Sequence, residues 1–530
     1  MQEWSLSQIV TNLLREDASW TTANITYSFP LVTPAWSAQA EGAGFSTLNS
    51  AQKDAARLAL SLWDDLIAKN ITEVSSGGQI TFQNTTATSA YAYTYFPGSW
   101  SGAGSVWFNK SYDASSGTND LMTPKVGAWG FTSYLHEIGH GLGLDHPADY
   151  TGSSTYANSA LYSQDSTQYT VMSYFDGNAT GADWRASNGT WYEPQTPMLH
   201  DIAAIQALYG VDTTTRTGDT VYGFHSTANR AVFDFTQNAH PVLAIWDSSG
   251  TDTLDLSGFS TDSRIDLGQG AFSDCDGMTD NIAIAYNCDI ENATGGAGND
   301  SITGNALNNR LTGNAGTDAL HGLGGNDVLI GGAGNDTLDG GAGIDTANYC
   351  AGGAITINLA TGVLGGAAAG DSFVSIERIS GSNTAGDTMV GSAVRDQFFG
   401  MGGNDTLSGG GGNDMLVGGT GADTLTGGTG CDTFVYQALN NSTVAAGDTI
   451  TDFTQGQDKI QLSAIDAITG GTDDAFHLIT GAFTHHAGEL HALISGNQTF
   501  VEGDVNGDGT ADFRITLTSA ITMVAADFIL

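Results

Sequence analysis

At 530 residues, with 72 glycines, 8 prolines and 57 acidic against 15 basic side chains (formal net charge −42), the chain is too long for one ordinary core and calls for two or more domains. That acidity argues against nucleic acid or anionic membrane as partners, no apolar run is long enough to span a bilayer, and much Gly with little Pro means tight turns rather than disorder. The four cysteines are too few for a disulfide framework; Cys275 and Cys288 are near enough to pair in an exported chain, and the alternative is buried or free thiols.

Ser7 to Glu16 reads as a short helix, and Ile25, Tyr27 and Phe29 alternate as in a half-buried strand. Asn49, with Gln52 three residues on, caps a longer helix in which Ala56, Ala59, Leu60, Trp63 and Ile67 recur at helical spacing through to Lys69. Ile80 and Phe82 suggest another strand, followed by the apolar Val106-Trp107-Phe108. The segment His136-Glu137-Ile138-Gly139-His140-Gly141-Leu142-Gly143-Leu144-Asp145-His146 then carries the chemistry. On a helix His136 and His140 leave one face a turn apart and reach one metal ion, while Glu137 stands beside them as a general base without being a ligand. Gly143 permits the turn that brings His146 back as third nitrogen ligand, leaving a fourth position for water, as catalytic zinc requires. A bare HExxH occurs by accident in ordinary helices; the added Gly and His at fixed spacing make accident a poor explanation.

Downstream lies Thr170-Val171-Met172-Ser173-Tyr174-Phe175. Alone, Met172 reads as a core residue; with the elongated histidine motif the segment resembles the Met-turn of the metzincin clan. Pro147 after the third His, Tyr174 two after the Met, Gly104-Ser105-Val106-Trp107-Phe108-Asn109, Pro197-Met198-Leu199-His200-Asp201-Ile202 running on to Gly210, and Thr215-Arg216-Thr217-Gly218-Asp219-Thr220 look like serralysin, the secreted bacterial zinc endopeptidase family. This resemblance implies that Val106–Phe108 is the sheet's edge strand bordering the cleft, the other reading being an ordinary amphipathic strand. It also implies that Tyr174 ligates the resting zinc and then hydrogen-bonds the oxyanion, against a residue merely packed beside the turn.

Residues 1–210 thus read as an α+β metzincin zinc-protease domain, 211–294 as a β-rich connection, and from Gly295 a nine-residue repeat begins. Its GGxGxDxUx form is that of calcium-binding parallel β-rolls (RTX repeats), in which two units make one coil and aspartates one coil apart clasp a calcium between stacked turns. The first block, 295–348, offers Gly295, Gly298 and Asp300, Gly313, Gly316 and Asp318, Gly322, Gly325 and Asp327, Gly331, Gly334 and Asp336, and Gly340, Gly343 and Asp345. The second, 382–436, offers Gly400, Gly403 and Asp405, Gly409, Gly412 and Asp414, Gly418, Gly421 and Asp423, and Gly427, Gly430 and Asp432. Leu320, Leu329, Leu338, Leu407, Leu416 and Leu425 are expected to point inward. Asn309 replaces one repeat aspartate, and the units around Asp387 and Asp396 lack the full glycine set, so binding should weaken there. Residues 349–381 read as a β insertion and 437–530 as a C-terminal β-sandwich.

Two calcium sites near the junction follow from the resemblance: Arg216, Gly218, Thr220, Asp247, Ser249 and Asp252 match one, and Gly250, Asp252, Asp289 and Glu291 the other, with Ser249 and Asp289 departing from the usual residues. The loop Asp504–Asp512 has calcium-loop oxygens but Ile515 in place of the bidentate Glu, so it is a weak site or a plain turn. Asp527-Phe528-Ile529-Leu530 resembles a type I secretion signal, and no N-terminal signal peptide is recognisable. The sum is a secreted, monomeric, calcium-dependent zinc endopeptidase of broad specificity, exported by type I machinery from a Gram-negative cell. Its rivals are an RTX adhesin with an inactive protease-like domain, and a zinc enzyme acting on something other than peptides.

Overall fold

The structure is a computed structural model that describes residues 1–37, 41–112, 120–151, 153–470 and 474–530. Its first helix, α1 (Leu6–Leu13), starts earlier and ends sooner than hydrophobic periodicity suggests, because Ser5 and Gln8 form a reciprocal capping box. Ile9 and Leu13 are its buried positions. The chain then forms β1 (Ile25–Ser28), α2 (Ser50–Asp64), β2 (Ile71–Glu73), β3 (Ile80–Thr85), β4 (Ala92–Thr94) and β5 (Ser105–Asn109). Asn49 and Gln52 cap α2 as expected, but the helix stops at Asp64, whose Oδ1 accepts the Ile71 N–H at 2.6 Å as the chain turns into β2.

The five strands lie in the order β2-β1-β3-β5-β4, parallel except for the antiparallel β4. This corrects the expected edge. Val106, Trp107 and Phe108 are fully buried inside β5, and Ala92–Thr94 forms the edge beside the cleft. A run buried on both faces carries no signal of which neighbour lies outermost. Helix α3 (Trp129–Leu142) carries the histidine motif, a short α4 (Tyr156–Ser159) follows, and α5 (Leu199–Tyr209) ends at Gly210. Beyond it, Val221–Gly223, Thr253–Asp255 and Asn292–Thr294 pair in parallel. These elements belong to one compact unit, Met1–Gly298; the second is Asn299–Leu530.

The second unit is built mostly of short parallel strands, as a β-roll is. Arg310–Ala315 pairs with Val328–Ala333 in register Leu311↔Leu329, and Thr406–Gly411 with Thr424–Thr429 in register Leu407↔Leu425, one coil per eighteen residues. Leu320, Leu329, Leu338, Leu407, Leu416 and Leu425 are all at 0 % exposure, a thin line of apolar contacts through the coil. The turns need glycine: at Gly334 (φ 154°) a Cβ would stand 1.5 Å from the Gly316 carbonyl oxygen of the coil beneath. Within 349–381, Ile355–Asn358 and Val363–Gly366 form an antiparallel hairpin. Ser372–Val374 and Arg378–Ser380 then rejoin the roll beside Thr337–Asp339 and Thr346–Asn348. Towards the end, strands 489–495, 498–504 and 513–517 pair antiparallel, and Phe528–Ile529 adds to Lys459–Gln461.

Candidate metal centres

Helix α3 presents His136 and His140 one turn apart and ends at Gly143 with φ 116°, where a Cβ would meet the Ala18 carbonyl oxygen at 2.1 Å. The left-handed turn sends the chain back, so that His146 Nε2 lies 3.2 Å from His136 Nε2 and 3.0 Å from His140 Nε2. His136 Nδ1 donates to the Val171 carbonyl and His140 Nδ1 to the Leu144 carbonyl, both at 2.7 Å. Each bond puts the ring proton on Nδ1 and leaves the Nε2 lone pair facing inward. Burial depresses all three imidazoles, His136 to about 3 and His140 to about 4, so they stay neutral. Three inward lone pairs at hydrogen-bonding distance with no proton between them repel one another, and a cation removes that repulsion. The donor set therefore fits zinc.

Around these ligands the structure places the other expected residues. Met172 is fully buried beneath α3, close enough that a Cβ on Gly139 would sit 2.5 Å from its sulfur. Glu137 is buried and accepts the Thr94 hydroxyl of β4 at Oε2, 2.6 Å; burial raises its pKa to about 7. Tyr174 is 52 % exposed, its ring 4.7 Å from that of His146 and stacked at 4.7 Å on Tyr150. A cavity of about 380 Å³ opens here, lined by Ala92, Trp129, Thr132, Val171, Glu137 and Tyr174 among others.

Several supports were not legible in the motif. Asp201, wholly buried, accepts the Thr170 hydroxyl at 2.5 Å and the backbone N–H groups of Val171 and Met198 at 2.7 and 2.8 Å. Since the Val171 carbonyl holds His136, Asp201 fixes the Met172 turn and, through one peptide, a ligand. Asp165 accepts both the Tyr150 and the Ser173 hydroxyls, at 2.5 and 2.7 Å, and so anchors the ring on which Tyr174 stacks. No spacing rule marks these carboxylates, because they act from loops and a different helix.

Of the junction residues, Gly218, Gly250 and Asp252 meet closely: a Cβ on Gly250 would lie 2.7 Å from both Asp252 Oδ1 and the Gly218 carbonyl oxygen. Asp252 Oδ1 also accepts the Thr220 N–H, and Glu291 Oε2 the Asp252 N–H, each at 2.7 Å. Burial, then Asp247, Glu291 and Asp219, raise the Asp252 carboxyl to about 7. Asp247 accepts the Ser249 N–H at 3.0 Å and the Tyr222 hydroxyl at 2.7 Å. The Arg216 guanidinium is committed to Asp65 at 2.8 Å, so only its backbone can face a cation. Asp289 accepts Gln269 Nε2 at 2.7 Å instead. Cys275 and Cys288 are both buried free thiols.

In the roll the aspartates form a ladder. Oδ1 of Asp318, Asp336 and Asp345 accepts the N–H of Asp300, Asp318 and Asp327 one coil back, at 2.7–2.9 Å, and Asp405, Asp414, Asp423 and Asp432 repeat the pattern. The second oxygens of Asp327, Asp336, Asp345, Asp405, Asp414, Asp423 and Asp432 are buried without any hydrogen-bond partner. Where repeats are degenerate that oxygen is used up: Asp387 Oδ2 accepts the Ser382 N–H, Asp396 Oδ2 the Ser392 N–H, and Asn309 Oδ1 the Asn305 N–H. The ladder also runs on through Asp371, Glu377, Asp448 and Asp458, at separations of 35, 32, 25 and 26 residues. A search at fixed period misses these four.

Fold and site together define a class: a chain with a three-histidine metal site on a helix, followed by a repeat-built parallel roll. A family model described as Peptidase M10 serralysin C terminal matches residues 211–354 and 392–530. The chain is 38 % identical over 317 residues to Serralysin C and 43 % identical over 292 residues to Serralysin B, both of Dickeya chrysanthemi. These matches cover 56 % and 52 % of this chain and 63 % and 58 % of those proteins, so the chain spans less than two thirds of their length. To Metalloprotease AprA of Pseudomonas entomophila (strain L48) it is 36 % identical over 534 residues, 97 % of this chain and 88 % of that one. The chain belongs to the serralysin family.

Proposed function

We propose that the protein is a secreted zinc metalloendopeptidase that hydrolyses peptide bonds of proteins with broad specificity. The observation that carries this is the convergence of three neutral imidazole Nε2 atoms beside a buried carboxyl, Glu137, that lines a cavity. Residues 1–210 are its metzincin-type catalytic domain. Zinc held by His136, His140 and His146, with Tyr174 as resting ligand, would supply Lewis acidity, polarising the scissile carbonyl and acidifying a water towards pKa about 7. Glu137, its pKa raised to about 7 by burial, is poised both to take a proton from the attacking water and to return it to the leaving amine. Strand β4, at the sheet's edge among the described residues, would pair with an extended peptide, and the Tyr174 hydroxyl would donate to the oxygen that gains negative charge.

The same reading makes calcium a structural ligand of 211–294 and of the roll blocks 295–348 and 382–436; in the roll blocks it is supported by buried aspartate oxygens without a hydrogen-bond partner, such as those of Asp336 and Asp423. The insertion 349–381 separates those blocks, and 437–530 carries the type I export signal at its end. Protein substrates and the export machinery are its partners, and it acts as a monomer. The adhesin reading is less favoured, since every residue of the zinc motif is in place. The test is casein cleavage with and without a zinc chelator, together with Glu137→Gln. That variant should keep zinc while turnover falls at least about 100-fold. Near-normal proteolysis in chelator or in the variant would end the proposal.

A further inference from the structure

The three ligands are not held alike. His136 and His140 each have Nδ1 fixed by a backbone carbonyl, whereas among the described residues nothing is hydrogen-bonded to His146 Nδ1. Besides the other two imidazoles, its ring packs against Tyr174 and Tyr150, at centroid distances of 4.7 and 5.5 Å. It also lies beyond the helix, on the loop that follows the left-handed turn at Gly143. Something else must aim this imidazole.

That support comes from the N-terminal helix. Arg15, just past the end of α1, donates from NH1 to the His146 carbonyl at 2.5 Å and from NH2 to Asp145 Oδ2 at 2.9 Å. Asp145 Oδ1 in turn accepts the His146 N–H at 2.7 Å. One guanidinium thus holds both ends of the His146 backbone, one directly and one through a carboxylate. Two further bonds tie the same loop to the same helix: Asn12 Nδ2 donates to the Pro147 carbonyl at 2.7 Å, and the Asp145 N–H to the Leu13 carbonyl at 2.8 Å. Asp149, fully exposed, adds a weak contact at 3.3 Å. Helix α1 is itself anchored by the buried Ile9 and Leu13.

We propose that Arg15 is a positioning residue for the metal centre: with Asp145 and Asn12 it forms a clasp through which α1 orients the third histidine and sets zinc affinity. The guanidinium suits this role because its planar fork spans a carbonyl and a carboxylate at once, which an ammonium cannot do. The inference rests on the zinc reading above but concerns a part of the chain that the motif does not include.

The experiment is zinc affinity of the full-length protein, read by competition with a chromophoric chelator in saturating calcium, independent of catalysis. Outer partners of metal ligands typically govern affinity by about 10- to 100-fold. Arg15→Gln should weaken zinc by that factor, and Arg15→Lys, which keeps the charge beside Asp145 but loses the fork, should fall between it and the parent. Arg57→Gln, which removes an ion-paired surface arginine on α2, controls for loss of any such pair and should change nothing. Should Arg15→Gln be too unstable to measure, Arg15→Lys and Asn12→Ala supply the decision. Zinc affinity within twofold of the parent in the folded Arg15 variants overturns the clasp. His146→Ala separates this from failure of the site itself: if it too leaves zinc affinity unchanged, the three-histidine reading is at fault.

Discussion

The zinc centre and the aspartate ladder solve opposite problems with the same kind of material. In the first unit two of the ligands, His136 and His140, sit on α3 above a core of fully buried Trp63, Trp107, Phe108 and Tyr134, and their outer ring nitrogens are satisfied by carbonyls. The metal there completes a fold that apolar burial already stabilises. In the roll a typical nonapeptide buries one large apolar side chain and orders several glycines at high entropic cost, and at Asp327, Asp336, Asp345, Asp405, Asp414, Asp423 and Asp432 a buried carboxylate oxygen is left without a partner. On the reading proposed above, a cation there is part of what makes the coil stable. The lesson is that a metal site surrounded by a core is chemistry, whereas one that replaces a core is architecture.

The largest expected effect breaks this comparison directly. Chelating calcium should abolish the β-roll signal in circular dichroism of the full chain, and millimolar calcium should restore it, since binding to the folded state alone shifts the equilibrium by mass action. β structure of equal strength in both conditions would sink the architectural role. Next comes Tyr174→Phe, expected to lower kcat by about 10- to 1,000-fold with little change in KM if its hydroxyl acts chiefly on the developing oxyanion; an unchanged kcat returns Tyr174 to a packing role.

A smaller effect sharpens the ladder. Burial raises Asp405 to about 7 and Asp327 and Asp414 to about 6, against about 3.9 unfolded. Between pH about 4 and 7 the folded, calcium-free roll therefore binds more protons than the unfolded chain, so acid stabilises it and rising pH weakens it. In chelator, lowering the pH from 8 to 5 should therefore return part of the lost β-roll signal. In calcium that dependence should shrink or reverse, because protons then compete with the cation; a chelator-state β signal that does not rise with acid refutes the assignment. Smallest of all, removing zinc while calcium is kept should leave far-ultraviolet circular dichroism at 25 °C unchanged. Loss of helical signal would mean that the first unit also depends on its metal for folding.

Wherever function is written in local spacing, it was legible in the sequence. The helical i, i+4 pair, the Gly143 turn and the nine-residue period each fix geometry through a few bonds of covalent chain. The same holds for the capping box at Asn49, and for Asn309, whose side chain uses on its own turn the oxygen that intact repeats leave free. What the sequence left undecided depends on which distant segments become neighbours. Ala92–Thr94 rather than Val106–Phe108 forms the sheet edge, because strand order in a buried sheet is set by packing on both faces and not by the strand's own pattern. Thr94 and Arg15 reach the centre across 43 and 131 residues, Asp201 across 30 from another helix and Asp165 across 15 from a loop, and a single hydrogen bond made across such a gap leaves no periodic trace. Sequence alone thus nominated the atoms that are proposed to bind the metals. Tertiary structure decided how firmly each is aimed, because aim comes from hydrogen bonds between segments whose adjacency only the folded core creates.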